Sequence, residues 1–122
     1  MPGREIKVKH IFEPFEPSDG TRVLVEKQWP MGMRKREANI GLWAQNLAPS
    51  EKLRYWFEGD PDTWEDFQKY YGKELDDKEA DLKDLFDALP TGPVTFVHTS
   101  HEDEHNNAVA LRNYVIKRRL LD

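Results

Sequence analysis

The sequence predicts an α/β fold: a small, mostly parallel β-sheet of about three strands flanked by about five helices. Three observations carry this expectation. Apolar segments of strand length fall at residues 6–11, 22–29 and 94–99. The stretch between the second and the third is long and helical in pattern, as a parallel crossover requires. A helix-patterned segment then closes the chain.

Taken in order, residues 6–11 alternate Ile6 and Val8 with Lys7 and Lys9, the mark of a half-exposed strand. Two prolines and Asp19-Gly20 follow, a loop with a tight turn. This link is short and leaves the relative direction of the first two strands open. Residues 22–29, "RVLVEKQW", begin as an unbroken apolar run, which suits a strand covered on both faces. Pro30 and Gly32 end it.

The middle reads as helix. Residues 38–47 place Ile40, Leu42, Trp43 and Leu47 at roughly helical spacing, weakened at Gly41 by about 1 kcal/mol relative to Ala. Pro49 stops that segment, and Ser50 is an N-cap for a short helix, "EKLRYWF". Asp60-Pro61 supplies a cap and a proline at a first helical position. The helix beyond carries Trp64, Phe67, Tyr70 and Tyr71 as one buried aromatic stripe. A further helix holds Leu82, Leu85, Phe86 and Leu89, and "LPTGP" breaks it. "VTFVHT" is the third strand. The last helix packs through Ala108, Leu111 and Val115.

Length and composition set the class. One domain spanning residues 1–122 is expected, large enough for a core without covalent staples. The chain has no cysteine, which removes disulfides, thiolate metal sites and thiol nucleophiles, and fits a cytoplasmic location. The opening "MPGREIKVKH" has no apolar run, so neither a signal peptide nor a membrane span is expected. Eighteen Lys and Arg against 23 Asp and Glu give a net charge of −5. That balance disfavours nucleic acid as a partner. Local basic clusters remain at "MRKRE" and "IKRRL".

The motif that invites chemistry is His101-Glu102-Asp103-Glu104-His105, spelled as the H-E-x-x-H of zinc hydrolases. That chemistry needs both histidines one turn apart on an established helix, with the Glu polarising metal-bound water. Here the spacer is two acids, and Ser100 or Asp103 is the expected N-cap, so the motif straddles a first turn. Only Asp122 among the side chains after His105 is a carboxylate; His98 or Glu26 would have to complete a site. No metal and no cofactor is expected, with His101 and His105 the residues a metal would use. Three carboxylates, Glu102, Asp103 and Glu104, at the expected N-terminal turn of the last helix favour a cation or a neutral hydrogen-bonding group over phosphate. Arg22, Lys27, Arg34 and Lys35 are the nearby positive charges.

Ligands of α/β folds gather beyond the carboxyl ends of parallel strands. The segments "EKQWP" and "HTSHEDEHNN" are two such ends. His105 titrates near neutrality when unperturbed and suits acid–base work, whereas His98 is expected to be packed and hydrogen-bonded.

Three segments, "DGTRVLVEKQWPMGMRK", "WAQNLAPSEKLRYWFEGDPDTWEDFQKYYGKEL" and "VTFVHTSHEDEHNNAVALRNYV", together cover nearly the whole chain. In that order they resemble the YeaO-like branch of the domain-of-unknown-function 488 family. Arg22, Trp29, Pro30, Gly32, Ala48, Pro49, Ser50, Arg54, Trp56, Phe57, Asp60, Pro61, Trp64, Phe67, Glu104, His105 and Asn106 match its pattern. Glu26-Lys27 stand where the pattern has Asp-Arg, Met31 where it has Arg, and Gly59 where it has His. His101 falls where relatives carry another residue. The resemblance implies a small cytosolic bacterial-type α/β domain and no particular reaction.

The expected site is a polar pocket at the strand ends, for a small polar ligand or as the remnant of an enzymatic centre. Its candidate ligand-binding residues are Arg22, Lys27, Trp29, His98, His105 and Asn106; its candidate catalytic residues are His105, Glu104 and Lys27. A competing expectation is a non-catalytic interaction module, monomeric or homodimeric, with Trp43, Trp56 or Tyr71 in an exposed apolar patch. A metal-dependent hydrolase using residues 101–105 is the third.

Overall fold

A computed structural model describes residues 5–121. Met1 to Arg4, the first part of the segment judged for a signal peptide, and Asp122, the late carboxylate, lie outside the described residues. The sheet contains β1 (Ile6–His10), β2 (Thr21–Leu24), β3 (Leu42–Trp43) and β4 (Val94–His98), in the order β1-β4-β2-β3. Every pairing is parallel. The helices are α1 (Lys35–Ala38), α2 (Glu51–Phe57), α3 (Trp64–Asp76), α4 (Glu79–Ala88) and α5 (Asn107–Lys117). Among the described residues no helix is long and apolar enough to cross a membrane.

The expected α/β class holds, with a fourth strand where a helix was expected. Residues 38–47 break into the end of α1, the short β3 and a 3-10 turn at Gln45–Leu47. Asn39 adopts a left-handed conformation, φ 52°, and closes α1. Gly41 N–H then donates to Arg22 O, and Leu42 and Trp43 pair with Val23 and Leu24. The sheet edge offers hydrogen bonds to this segment that its helical spacing did not reveal.

Alternation along the strands divides the core. Val23, Val25, Val94 and Phe96 face the larger cluster, built with Leu53, Phe57, Phe67, Tyr71, Leu75, Leu111 and Val115 from the helices. Leu24 and Val97 face the other way, with Ile11 and Ala38. β2 is therefore covered on both faces, as its apolar run predicts. The aromatic stripe of α3 is narrower than expected. Phe67 and Tyr71 are buried, but Tyr70 is exposed against Trp56. Burial of Tyr71 also removes it from any exposed apolar patch.

The second sheet face is closed by residues 11–20 rather than by a long helix. Lys9, expected on a solvated face, is buried beneath this loop. Its Nζ lies 2.8 Å from Glu16 Oε1 and 2.9 Å from Asp19 Oδ1, while Lys7 Nζ reaches the same Asp19 oxygen at 2.8 Å. Arg22 donates to the carbonyls of Glu13 and Ile11 and lies 3.4 Å from Asp19 Oδ2. Thr95 Oγ1 donates to Asp19 O. Gly20 lets the loop turn into β2 at φ +62°, where a Cβ would lie 2.0 Å from Pro93 O.

Candidate functional site

The carboxyl ends of β2 and β4 open into a cavity of about 730 Å3. Glu26, just beyond β2, forms its floor and is only 4% exposed. Its Oε2 accepts the Thr99 N–H at 3.2 Å, and its Oε1 accepts Asn107 Nδ2 at 3.3 Å. Arg54 Nη2, from α2, stands 3.8 Å from Oε1 and is the one basic side chain paired with this carboxylate among the described residues. Burial pushes the Glu26 carboxyl above its ordinary value; Arg54 and the Thr99 hydrogen bond oppose that shift without cancelling it. The Trp43 indole fixes the main chain here by donating to Glu26 O at 2.6 Å.

The wall opposite is the β4–α5 loop. Asn106, not Ser100 or Asp103, is the N-cap of α5: its Oδ1 accepts the Val109 N–H at 3.1 Å. A side-chain oxygen there satisfies a donor the helix leaves free. The acids at 102–104 thus precede the helix. Glu102 folds back on its own loop, accepting from the N–H groups of Glu104 and His105 and pairing with His105 Nδ1 at 3.0 Å. Burial alone would raise its carboxyl, but those two N–H donors together with the His105 ring outweigh it and hold it below its ordinary value.

The same loop decides the fate of the H-E-x-x-H spelling. His101 and His105 lie before α5, so the helical presentation the zinc chemistry needs is not made. His101 is exposed at the cavity mouth, while His105 is half-buried with its ring edge-on to Trp64, 5.2 Å between centroids. Among the described residues no three His, Asp or Glu side chains are grouped to hold a metal ion.

Of the residues expected at the pocket, Asn106 alone lines it; His101, weighed only as a metal ligand, lies on the wall too. The others are held elsewhere. Arg22 is locked under the loop on the opposite sheet face. Trp29 donates to Met33 O at 2.6 Å and packs edge-on against Trp43, outside the cavity wall. Lys27 joins β3's flank through its carbonyl, which accepts from Gln45. His98 is 1% exposed; its Nδ1 accepts the Ser100 N–H, and burial, with His10 beside it, pushes its pKa down to about 4. It stays neutral at neutral pH. Glu104 is exposed and takes no part in the cavity wall.

Most of the wall was not singled out from the sequence, Arg54 and Asn107 among it, and Glu26 entered only as a possible completing metal ligand. Arg54 stood among the motif matches, and its placement on α2 between buried Leu53 and Phe57 was the available signal. Asn107 carried no signal beyond adjacency to Asn106. Two of the departures from the family pattern, Glu26 and Gly59, fall on the cavity wall, whereas Met31 is 98% exposed and remote from it. Gly59 leaves open the space an imidazole would fill; a Cβ there would approach Glu102 Cβ at 3.6 Å.

The chain matches the family model DUF488-N3i, described as the inactive DUF488-N3 subclade, over residues 5–121. Uncharacterized protein Rv3073c of Mycobacterium tuberculosis is 37% identical over 92 residues, 74% of this chain and 78% of its own. Uncharacterized protein Mb3100c of Mycobacterium bovis aligns with the same figures. Uncharacterized protein YeaO of Escherichia coli is 31% identical over 110 residues, 90% of this chain and 96% of its own. No solved structure gives a significant match. With the match running through both sheet faces and the whole cavity wall, the chain belongs to the YeaO-like DUF488 family.

Proposed function

We propose that this protein is a non-catalytic binding module whose strand-end cavity takes a small polar ligand that donates hydrogen bonds or carries positive charge. The observation that carries this reading is Glu26, a carboxylate buried at the cavity floor with one basic partner at 3.8 Å. A buried carboxylate so lightly compensated gains from an added donor. The surrounding charge points the same way. Glu51, Glu58 and Glu102 join Glu26 on the wall, against Arg54. An anionic ligand meets repulsion there, and an ammonium, guanidinium or amide group does not. Tyr55, 74% exposed at the rim, offers a ring face to a cation. Against catalysis stands the placement of the catalytic candidates: His105 is turned onto Trp64, and neither it nor Glu104 nor Lys27 lines the cavity. The description of the matching subclade as inactive agrees with a binding role.

A thermal-shift screen of primary amines, guanidines and neutral amides, with inorganic phosphate as the contrast, tests this. The expected result is stabilisation by one of the first three classes, lost in Glu26→Gln, and none by phosphate. Stabilisation by phosphate alone, or an equal response in Glu26→Gln, overturns it. A second reading, a homodimer, has one observation in its favour. Trp56 and Tyr70 stack edge-on at 5.6 Å while remaining 48% and 44% exposed. A concentration-independent monomer by sedimentation removes that reading.

A further inference from the structure

Farther along α5 from the strand-end cavity, α3 and α5 enclose a second groove of about 480 Å3, of opposite charge. Its floor is low because Gly72 and Ala110 carry almost no side chain; a Cβ on Gly72 would already touch the Tyr114 ring at 3.7 Å. Lys69 and Lys73 rise from α3, and Lys117 and Arg118 from the end of α5. Two carboxylates share the groove, Glu65 and Asp76, and Asp76 is engaged by Tyr114 Oη at 2.7 Å and by Arg118 at 3.6 Å. The Arg118 guanidinium lies 3.9 Å above the Tyr114 ring. Among the described residues Lys69, Lys73 and Lys117 make no ion pair. A net-positive groove on a chain of net charge −5 is a local exception to the molecule's own field.

We infer that this groove docks an acidic segment of a partner protein in extended conformation. Three features select that occupant. Lys69 and Lys73 are four residues apart on a helix, a rise of about 6 Å. Carboxylates at alternate positions of an extended chain repeat at about 6.6 Å and meet both ammonium groups. Between the lysine pair and α5, Gln68 Oε1 accepts from Asn113 Nδ2 at 2.8 Å. These two amides leave free donors and acceptors of the kind a peptide backbone matches. A phosphodiester backbone, by contrast, brings acceptors only and faces Glu65 and Asp76. The inference is independent of the strand-end reading, since the two sites share no wall residue.

Fluorescence anisotropy with a short fluorescein-labelled peptide alternating Glu and Thr tests it on the whole chain. The contrast is a peptide of the same composition with its glutamates in one block. The alternating peptide binds more tightly, binding weakens with salt, and Lys69→Glu with Lys73→Glu weakens it about tenfold or more at an unchanged melting temperature. Glu51→Gln with Glu58→Gln, in the other cavity, leaves it unaltered. The inference is overturned by equal binding of the two peptides, by undiminished binding in the charge-reversed variant, or by tighter binding of an oligothymidylate of equal charge. A concentration-dependent dimer that the same charge reversal abolishes would assign the groove to a second copy, and overturns it too.

Discussion

Two buried carboxylates divide this small domain, and their surroundings are opposites. Asp19, under the loop on one sheet face, is fully buried and meets Lys7, Lys9 and Arg22. Burial by itself would raise its carboxyl, the largest single influence. The hydrogen bonds from Lys7, Lys9 and the Glu16 N–H together overcome it and hold the group well below the usual carboxylate range. Glu26, at the end of the same β2, has one loose guanidinium and two weak amide partners, and there burial wins. A buried carboxylate ringed by three cations has little left to offer a ligand, although Arg22 Nε finds no hydrogen-bond partner. One with a single loose cation beside a cavity has more. The comparison separates a residue that holds the chain together from one available for binding.

The largest effect is expected at the saturated end. Asp19→Ala leaves Arg22 buried without its anion and Lys9 with Glu16 alone, and costs about 3–5 kcal/mol, read by denaturant unfolding. A loss below 1 kcal/mol would mean the cluster is solvated and the contrast with Glu26 false.

Acid separates the groups next, by sign. His98 has its pKa lowered from 6.5 to about 4 in the fold, so the unfolded chain takes up its proton first. Stability is lost as pH falls through that window, by up to about 3 kcal/mol. Asp19, also lowered, keeps its contribution above its ordinary value of 3.8 and loses it only below that pH. Glu26 runs the other way: its carboxyl is raised above 4.5, so its ionisation costs stability as pH rises. Unfolding of His98→Asn across pH 4–7 should lack the His98 slope.

Asn106→Ala removes the α5 cap and costs about 1 kcal/mol. Because Asn106 also donates to Glu102 O at 2.8 Å, loosening of the cavity wall should appear as faster amide exchange at Glu104 and His105. The smallest change is Glu26→Gln. It raises the melting temperature slightly at neutral pH and flattens the Glu26 contribution to the pH profile, the reverse of Asp19→Ala. If Glu26→Gln destabilised as Asp19→Ala does, the two carboxylates would play one structural part.

How much of this was legible beforehand follows from where each signal resides. The strands at 6–11, 22–29 and 94–99 were readable because apolar runs and alternation report a strand's own two faces, although the second ends at Leu24, where the apolar run gives way, and not at Trp29. β3 was not, since two residues on a sheet edge are held by a neighbour's hydrogen bonds rather than by their own pattern. The Ser50 cap was readable and is used, its Oγ accepting from Leu53 N–H. The α5 cap was misplaced because Ser100, Asp103 and Asn106 are all competent caps. Packing of α5 against β4 chooses among them. A pocket at the strand ends followed from the α/β class. Asn106 fell on its wall; Arg22 did not, because it stands at the start of β2, four residues before Glu26, and is spent on the carbonyls of Glu13 and Ile11.

The sequence by itself determined the α/β class, the absence of cysteine chemistry, the apolar segments of the sheet and the family. Those properties are local or compositional. Only the tertiary structure decided that every strand runs parallel, that Lys9 and Arg22 are buried around Asp19, and that Glu26 lies beside Arg54 and Asn107. Each of those depends on the distance between groups far apart in the chain. Whether a buried charge is satisfied or left wanting is a property of its neighbours, and no residue's own identity contains it.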